Sequence, residues 1–264
     1  MNIFLRELRA NLKSLLIWSV VVSILIMIAA AKFSAFVGDP SMMALLDAIP
    51  EGMLDAFNMR AFNLITLTGF FGLMFIYFGL MGAMAAAIWG TDMISKEERD
   101  KTVEFSLVLP VSRSRVITAK ALAALVYCVV FVLVTWGVSY VAVQQYKPDQ
   151  AFYDYLALEM QAMLLIELIF LAIGLFLGCA MKRYKLSSST AVAIILVAYF
   201  MSVASTMQEN LGFLRYFTPF KYFDAVELFR NGAMEGKFLL LSAGIVLLFT
   251  AAAYRRYNQR DLYI

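Results

Sequence analysis

The sequence predicts an all-α integral membrane protein. It has six transmembrane helices, an N-terminal interfacial amphipathic helix, and a short cytoplasmic helix between the second and third spans. Three observations carry this. Of 264 residues, 62% are apolar and 16% charged, against about 45–50% and 25% in ordinary globular domains. Six stretches reach the roughly 20 apolar residues that a bilayer crossing takes. Lys and Arg gather on one set of connections between those stretches. The composition also excludes several classes. There is no histidine, which removes His-ligated zinc, His-based triads and the commonest general base at neutral pH. Cys128 and Cys179 both lie in apolar runs, so neither a disulfide framework nor a cysteine metal site is expected. A formal charge of +3 makes no case for nucleic acid as a partner.

The elements follow in order along one domain, residues 1–264. Residues 2–14 set Ile3, Phe4, Leu8 and Leu12 at helical spacing with Arg6, Arg9 and Lys13 between them. That pattern is an amphipathic helix at the inner interface. The first span covers 15–36. Its basic front and Ala29-Ala30-Ala31 also fit a signal peptide, but the apolar run continues past the alanines to Phe36. The outer loop 37–63 carries Met42, Met43, Leu45, Leu46, Ile49, Met53, Leu54 and Phe57 around Pro50 and Gly52, as short amphipathic pieces would. Spans two to five cover 64–90, 116–143, 156–181 and 187–207. In the outer segment 208–237, Pro219 opens a helix that ends near Asn231-Gly232. The sixth span covers 238–254.

Orientation follows from the basic residues. With the N-terminus cytoplasmic, inside segments hold 15 of the 22 Lys and Arg, but only 7 of the 19 Asp and Glu. Both termini are then expected inside. No internal repeat relates the two halves, which gives an inverted-repeat carrier no support.

Few residues offer chemistry. Gly232-Ala-Met-Glu-Gly236-Lys237-Phe238 is one residue short of a phosphate loop and lacks its hydroxyl. Serines 19, 23, 139, 202 and 205 lie in spans with no histidine to activate them, and membrane hydroxyls ordinarily bond to neighbouring helices. Glu167 sits deep in the fourth span. A charge there is costly, so the residue faces a bundle interior or a wet cavity. It is either a contact on a translocation path or a protonated carboxyl bonded to another helix. Lys32 lies nearer an edge and can snorkel. Gly174-Leu-Phe-Leu-Gly178 is a GxxxG, and Gly69, Gly72, Gly79 and Gly82 punctuate span two. Such spacing supports close helix packing, and a dimer only weakly.

The cytoplasmic segment 92–115 is the most informative. It is the densest charged run, yet Val103, Leu107, Val108 and Leu109 interrupt it. Asp100 and Thr102 offer a helix start, Pro110 a stop, and Ser112 a cap for the next helix. A short helix lying across the membrane face would either dock into a partner's groove or remain solvated at the interface.

Ile94-Ser-Lys-Glu-Glu-Arg-Asp-Lys-Thr-Val-Glu-Phe, then Leu109-Pro-Val-Ser-Arg113 and Lys120, resembles the signature of type-2 ABC-exporter permeases. Glu97, Glu98, Thr102, Glu104, Leu107, Pro110, Val111, Ser112, Arg113 and Lys120 fall on its positions. Six spans, the N-terminal amphipathic helix, the Ile49–Phe57 stretch and the Thr218-Pro-Phe-Lys-Tyr-Phe-Asp224 run extend the likeness over nearly the whole chain. Many members have Gly where this chain has Lys101, a departure at the turn before Thr102. The resemblance implies the membrane half of an ATP-driven exporter in a bacterial cell membrane, with no cofactor of its own. ATP and Mg are expected on a separate ATPase, docking on residues 92–115 as a coupling helix. Glu97, Glu98, Arg99, Thr102, Glu104, Leu107, Pro110, Ser112 and Arg113 are the expected coupling residues. A second permease copy, identical or related, would complete the path. The 22 Phe and 16 Met suit an amphipathic or hydrophobic cargo such as a peptide, antibiotic or lipid-like molecule, and equally suit contact with membrane lipid. A non-transporting sensor or scaffold that docks an ATPase, and an ion-coupled carrier, are the alternatives.

Overall fold

The computed structural model describes residues 3–36, 64–99, 111–181, 183–207 and 209–259. Among them every regular element is helical, as hydrocarbon requires of backbone groups that must pair within their own segment. The elements are α1 (Ile3–Ala10), α2 (Leu12–Phe36), α3 (Leu67–Arg99), α4 (Arg113–Val143), α5 (Gln150–Ala180), α6 (Tyr184–Met207), α7 (Pro219–Tyr222), α8 (Ala225–Asn231) and α9 (Gly236–Gln259). Two 3-10 turns, Gln144–Tyr146 and Glu209–Tyr216, join them on one side. Helices α2, α3, α4, α5, α6 and α9 are long and apolar enough to cross a membrane. The amphipathic pieces expected in 37–63 lie outside the described residues.

Several boundaries differ from the hydropathy reading, because a helix ends where its backbone bonds end and not where charge begins. α3 runs nine residues past Gly90, to Arg99. Its 33 residues measure about 50 Å, well beyond the ~30 Å hydrocarbon layer. Residues 92–99 of the presumed connecting segment are therefore the last turns of α3, and Arg113–Arg115 are the first turn of α4. α5 starts at Gln150, where the Asp149 carboxylate accepts the Phe152 N–H at 3.0 Å. The helix expected over 2–14 breaks at Asn11, whose side chain donates to the Glu7 carbonyl at 3.3 Å. Leu12 and Lys13 thus belong to α2. The single outer helix expected from Pro219 to Asn231 is two. The Asp224 carboxylate accepts the Val226 N–H at 3.0 Å and starts α8, and Gly232 ends it with φ 61°, a backbone region suited to glycine.

α5 is the axis of the bundle. Of its most apolar window 72% is buried, against 28%, 22% and 17% for α2, α6 and α9. It packs most extensively along α3, through small residues. Ala83, Ala85, Ala86 and Ala87 are fully buried. A side chain added at Gly90 would meet the Leu171 carbonyl and the Leu175 nitrogen at 2.8 Å. α4 flanks this pair, where Trp89 makes edge contacts with Tyr127 and Phe131 at 5.5 and 5.9 Å. The peripheral helices expose rows such as Leu16, Ile17, Val20 and Ile24 on α2, and Leu240, Leu247 and Leu248 on α9. Those rows suit a lipid or second-copy surroundings.

Candidate functional site

Helix α1, the last turns of α3 and the first turns of α4 meet at the end of the bundle that carries Ile3 and Gln259. We refer to it as the near end. Hydrophobic packing alone would not place charge there, yet five ionisable side chains converge. Glu7 is fully buried. Its carboxylate pairs with Lys96 and with Arg6 at 3.2 Å, and Lys120 lies 3.9 Å away. Glu97 accepts from Arg6 at 2.9 Å and stands 3.3 Å from Lys120. Lys120, also fully buried, donates to the Met93 carbonyl at 2.5 Å. Buried ions persist only when paired and hydrogen-bonded, so this cluster fixes α1, α3 and α4 relative to one another. Tyr127 donates to the Leu8 carbonyl, and Trp89 donates to the Ser14 hydroxyl at 3.0 Å.

Among the expected coupling residues, Glu97 turns inward, is 9% exposed and braces α3 against α1 and α4. The backbone of Glu98 and Arg99 completes α3, while Thr102, Glu104, Leu107 and Pro110 lie outside the described residues. Ser112 caps α4, its hydroxyl accepting the Arg115 N–H at 3.4 Å. Arg113 reaches the Asn258 carbonyl at 3.4 Å, which ties the start of α4 to the end of α9. Ser114 with Asn258, and Thr118 with Tyr254 at 2.7 Å, extend that seam. Sequence reasoning missed Glu7 and Lys96. The signal for Glu7 was present, since it follows Ile3 and Phe4 by four and three residues and precedes Leu8. A lone acid in the middle of an apolar face points at protein, where partners exist, and not at lipid.

A second near-end contact joins α3 to α6. The hydroxyls of Thr91 and Ser188 are 2.7 Å apart, and Ser188 donates to Asp92 at 3.1 Å. At the opposite, far end a small cavity of about 40 Å³, open on one side, lies between Gly72, Phe75 and Gly79 of α3, Ser202 and Thr206 of α6, and Phe220 and Asp224 beyond.

Glu167 does not line that cavity, although its neighbour Ile166 does. It is fully enclosed, with Gly82 of α3 leaving room for its carboxyl and the Cys128 thiol of α4 beside it. No hydroxyl among the described residues bonds to either carboxyl oxygen, so the hydroxyl partner considered from sequence is not found among them. Other ionisable residues are also enclosed by protein: Glu159, two turns away on α5, is 1% exposed, and Lys120 is buried as described. Because no cation faces Glu167 among the described ion pairs, the uncharged isostere should be accepted. Glu167→Gln is expected to insert normally and melt in detergent within a few degrees of the parent; a large loss would mean that a charge is needed there.

Gly174 and Gly178 face α3 inside the chain. A side chain at Gly174 would stand 3.0 Å from Ala87 Cα, and one at Gly178 3.0 Å from Ile94 Cβ. Their motif therefore serves the α3–α5 contact. Among the described residues no cluster of three or more Cys, Asp or Glu is arranged to hold a metal.

Compared with known protein families, residues 1–262 match the one described as ABC-2 family transporter protein. The chain belongs to the ABC-2 family. The match spans the region carrying the resemblance read from residues 94–120, and agrees with six apolar crossings. An ABC-2 protein of this kind is the integral membrane permease subunit of an ABC transporter. For an ABC-2 permease, the near-end cluster occupies the root of the connection between its second and third spans. A search of curated proteins returns no match.

Proposed function

We propose that this permease exports an amphipathic or hydrophobic cargo, energised by a separate ATPase that carries ATP and Mg. The near end is cytoplasmic in this reading, consistent with the excess of Lys and Arg on that side. Two permease copies form the path, and the ATPase docks on the connection 92–115, chiefly on 100–112. The observation that carries the proposal is the ionic brace at both roots of that connection. Glu97 on α3 and Lys120 on α4 are 3.3 Å apart, and both reach α1. A force applied between the two roots is therefore delivered to three helices together. Binding of ATP can shift the permease only as far as the ATPase holds one arrangement of these roots better than the other.

The test is capture. The tagged permease, extracted in mild detergent from its own cells, should retain an ABC ATPase subunit. Glu98→Ala and Arg113→Ala, at the two roots, should each lower the ATPase activity of the complex several-fold while insertion is unchanged. Retention of no ATPase, or full activity in both variants, would remove the docking assignment.

A further inference from the structure

Helices α3 and α6 run antiparallel, touch through hydroxyls at the near end, and line a small cavity at the far end. From Thr91 to Gly79 along α3 is about 18 Å, and from Ser188 to Ser202 along α6 about 21 Å, at 1.5 Å per residue. Contact and cavity are thus the two ends of one seam.

The chemistry of the contact differs from that of the ionic brace beside it. Three hydrogen-bond contacts share two hydroxyl protons. Thr91 can donate to Ser188 or to the Ile88 carbonyl of its own helix, at 2.7 and 3.0 Å. Ser188 donates to Asp92 at 3.1 Å. The consistent arrangement is a relay from Thr91 to Ser188 to the Asp92 carboxylate. When α6 withdraws, the Thr91 proton falls back on Ile88 and no buried donor is orphaned, which is the condition under which breaking a hydrogen bond is inexpensive. The brace has no such fallback: separating α1, α3 and α4 would strand Glu7 and Lys120, both fully buried. One seam of the near end is made to part, and the other is made to hold.

Resting on the permease reading for which side each end faces, we propose that Thr91, Asp92 and Ser188 form a releasable latch between α3 and α6. The latch is closed in the state that opens the far-end cavity outward, and it parts when the near end opens.

Thr206, on the cavity wall, supplies the readout. In a background with Cys128 and Cys179 changed to Ala, Thr206→Cys in intact cells should react with a membrane-impermeant maleimide added outside. Adding Ser188→Ala should slow that reaction about tenfold, since a hydrogen bond to a carboxylate is lost from the outward state. Thr91→Val should slow it several-fold. The two together should act no more strongly than Ser188→Ala alone, because both remove one relay. The exposed neighbour Ser189→Ala should leave the rate unchanged. Labelling is read per molecule of tagged chain, so altered expression does not enter. Unchanged rates in both latch variants, or independent effects that multiply, would overturn the latch. Neither outcome touches ATPase capture, which tests the permease reading separately.

Discussion

Glu7→Gln is expected to be among the most damaging single substitutions in the chain. Glu7 is fully buried and serves Arg6, Lys96 and Lys120. Without its charge, Arg6 and Lys120 converge on Glu97, and the ion pair that Lys96 makes with Glu7 is lost. Removing one partner from a buried ionic cluster costs about 3–5 kcal/mol, so melting in detergent should fall on the order of 10 °C. Lys120→Met should cost less. It leaves Arg6 and Lys96 to satisfy two carboxylates, and methionine retains most of the buried stem. The double variant Glu7→Gln, Lys120→Met should recover part of the loss, since it restores the balance of charge that the single acid variant upsets. Melting curves of the three proteins decide the point. Equal losses in both single variants, with no recovery in the double, would show that Glu7 matters by shape and not by charge.

Gly174 is the second position where a small change should have a large effect. Even Gly174→Ala places Cβ 3.0 Å from both Ala87 Cα and its carbonyl carbon, and backbone cannot rotate aside. Forced overpacking typically costs about 1–3 kcal/mol, and Gly174→Leu should exceed the alanine variant. Gly82→Ala should be milder, because the atoms it would meet are the ends of Glu167 and Met163, which can move. At Gly137 nothing lies within 4 Å, so alanine should be neutral or stabilise by up to ~1 kcal/mol through helix propensity. Thermal stability in one detergent should rank the variants in that order. A Gly174→Ala protein as stable as Gly137→Ala would contradict the α3–α5 packing.

Hydropathy and charge were enough to read the six crossings and the N-terminal helix, because each depends on a local pattern that the sequence displays directly. The same patterns misplaced the root of the 92–115 connection. Glu97 carries a charge, so a one-dimensional reading turns it toward water or a partner. Its inward direction is set by Arg6 and Lys120, 91 residues before it and 23 after. Likewise Gly174 announced a close contact without naming Ala87 as its partner. The Ser187–Thr190 hydroxyl run attracted no reading, since its meaning depends on Thr91 and Asp92 across the bundle. Local pattern reports that a residue is unusual; only tertiary neighbours report what it does.

One consequence follows from the unbroken length of α3. The tight glycine contacts with α5 sit near Ala87, and they divide the helix unequally. From there to Leu67 is about 30 Å, and to Arg99 about 18 Å, at 1.5 Å per residue. A stiff rod rocking on that fulcrum amplifies: its long arm travels about 1.7 times as far as its short arm, in the opposite sense. A displacement of about 2 Å at Arg99 becomes roughly 3 Å at Leu67, the far tip of α3. Spin labels on the two arms would read that ratio, and equal travel in the same direction would rule it out. Rocking of that kind would turn a short stroke at Arg99 into a longer one at Leu67.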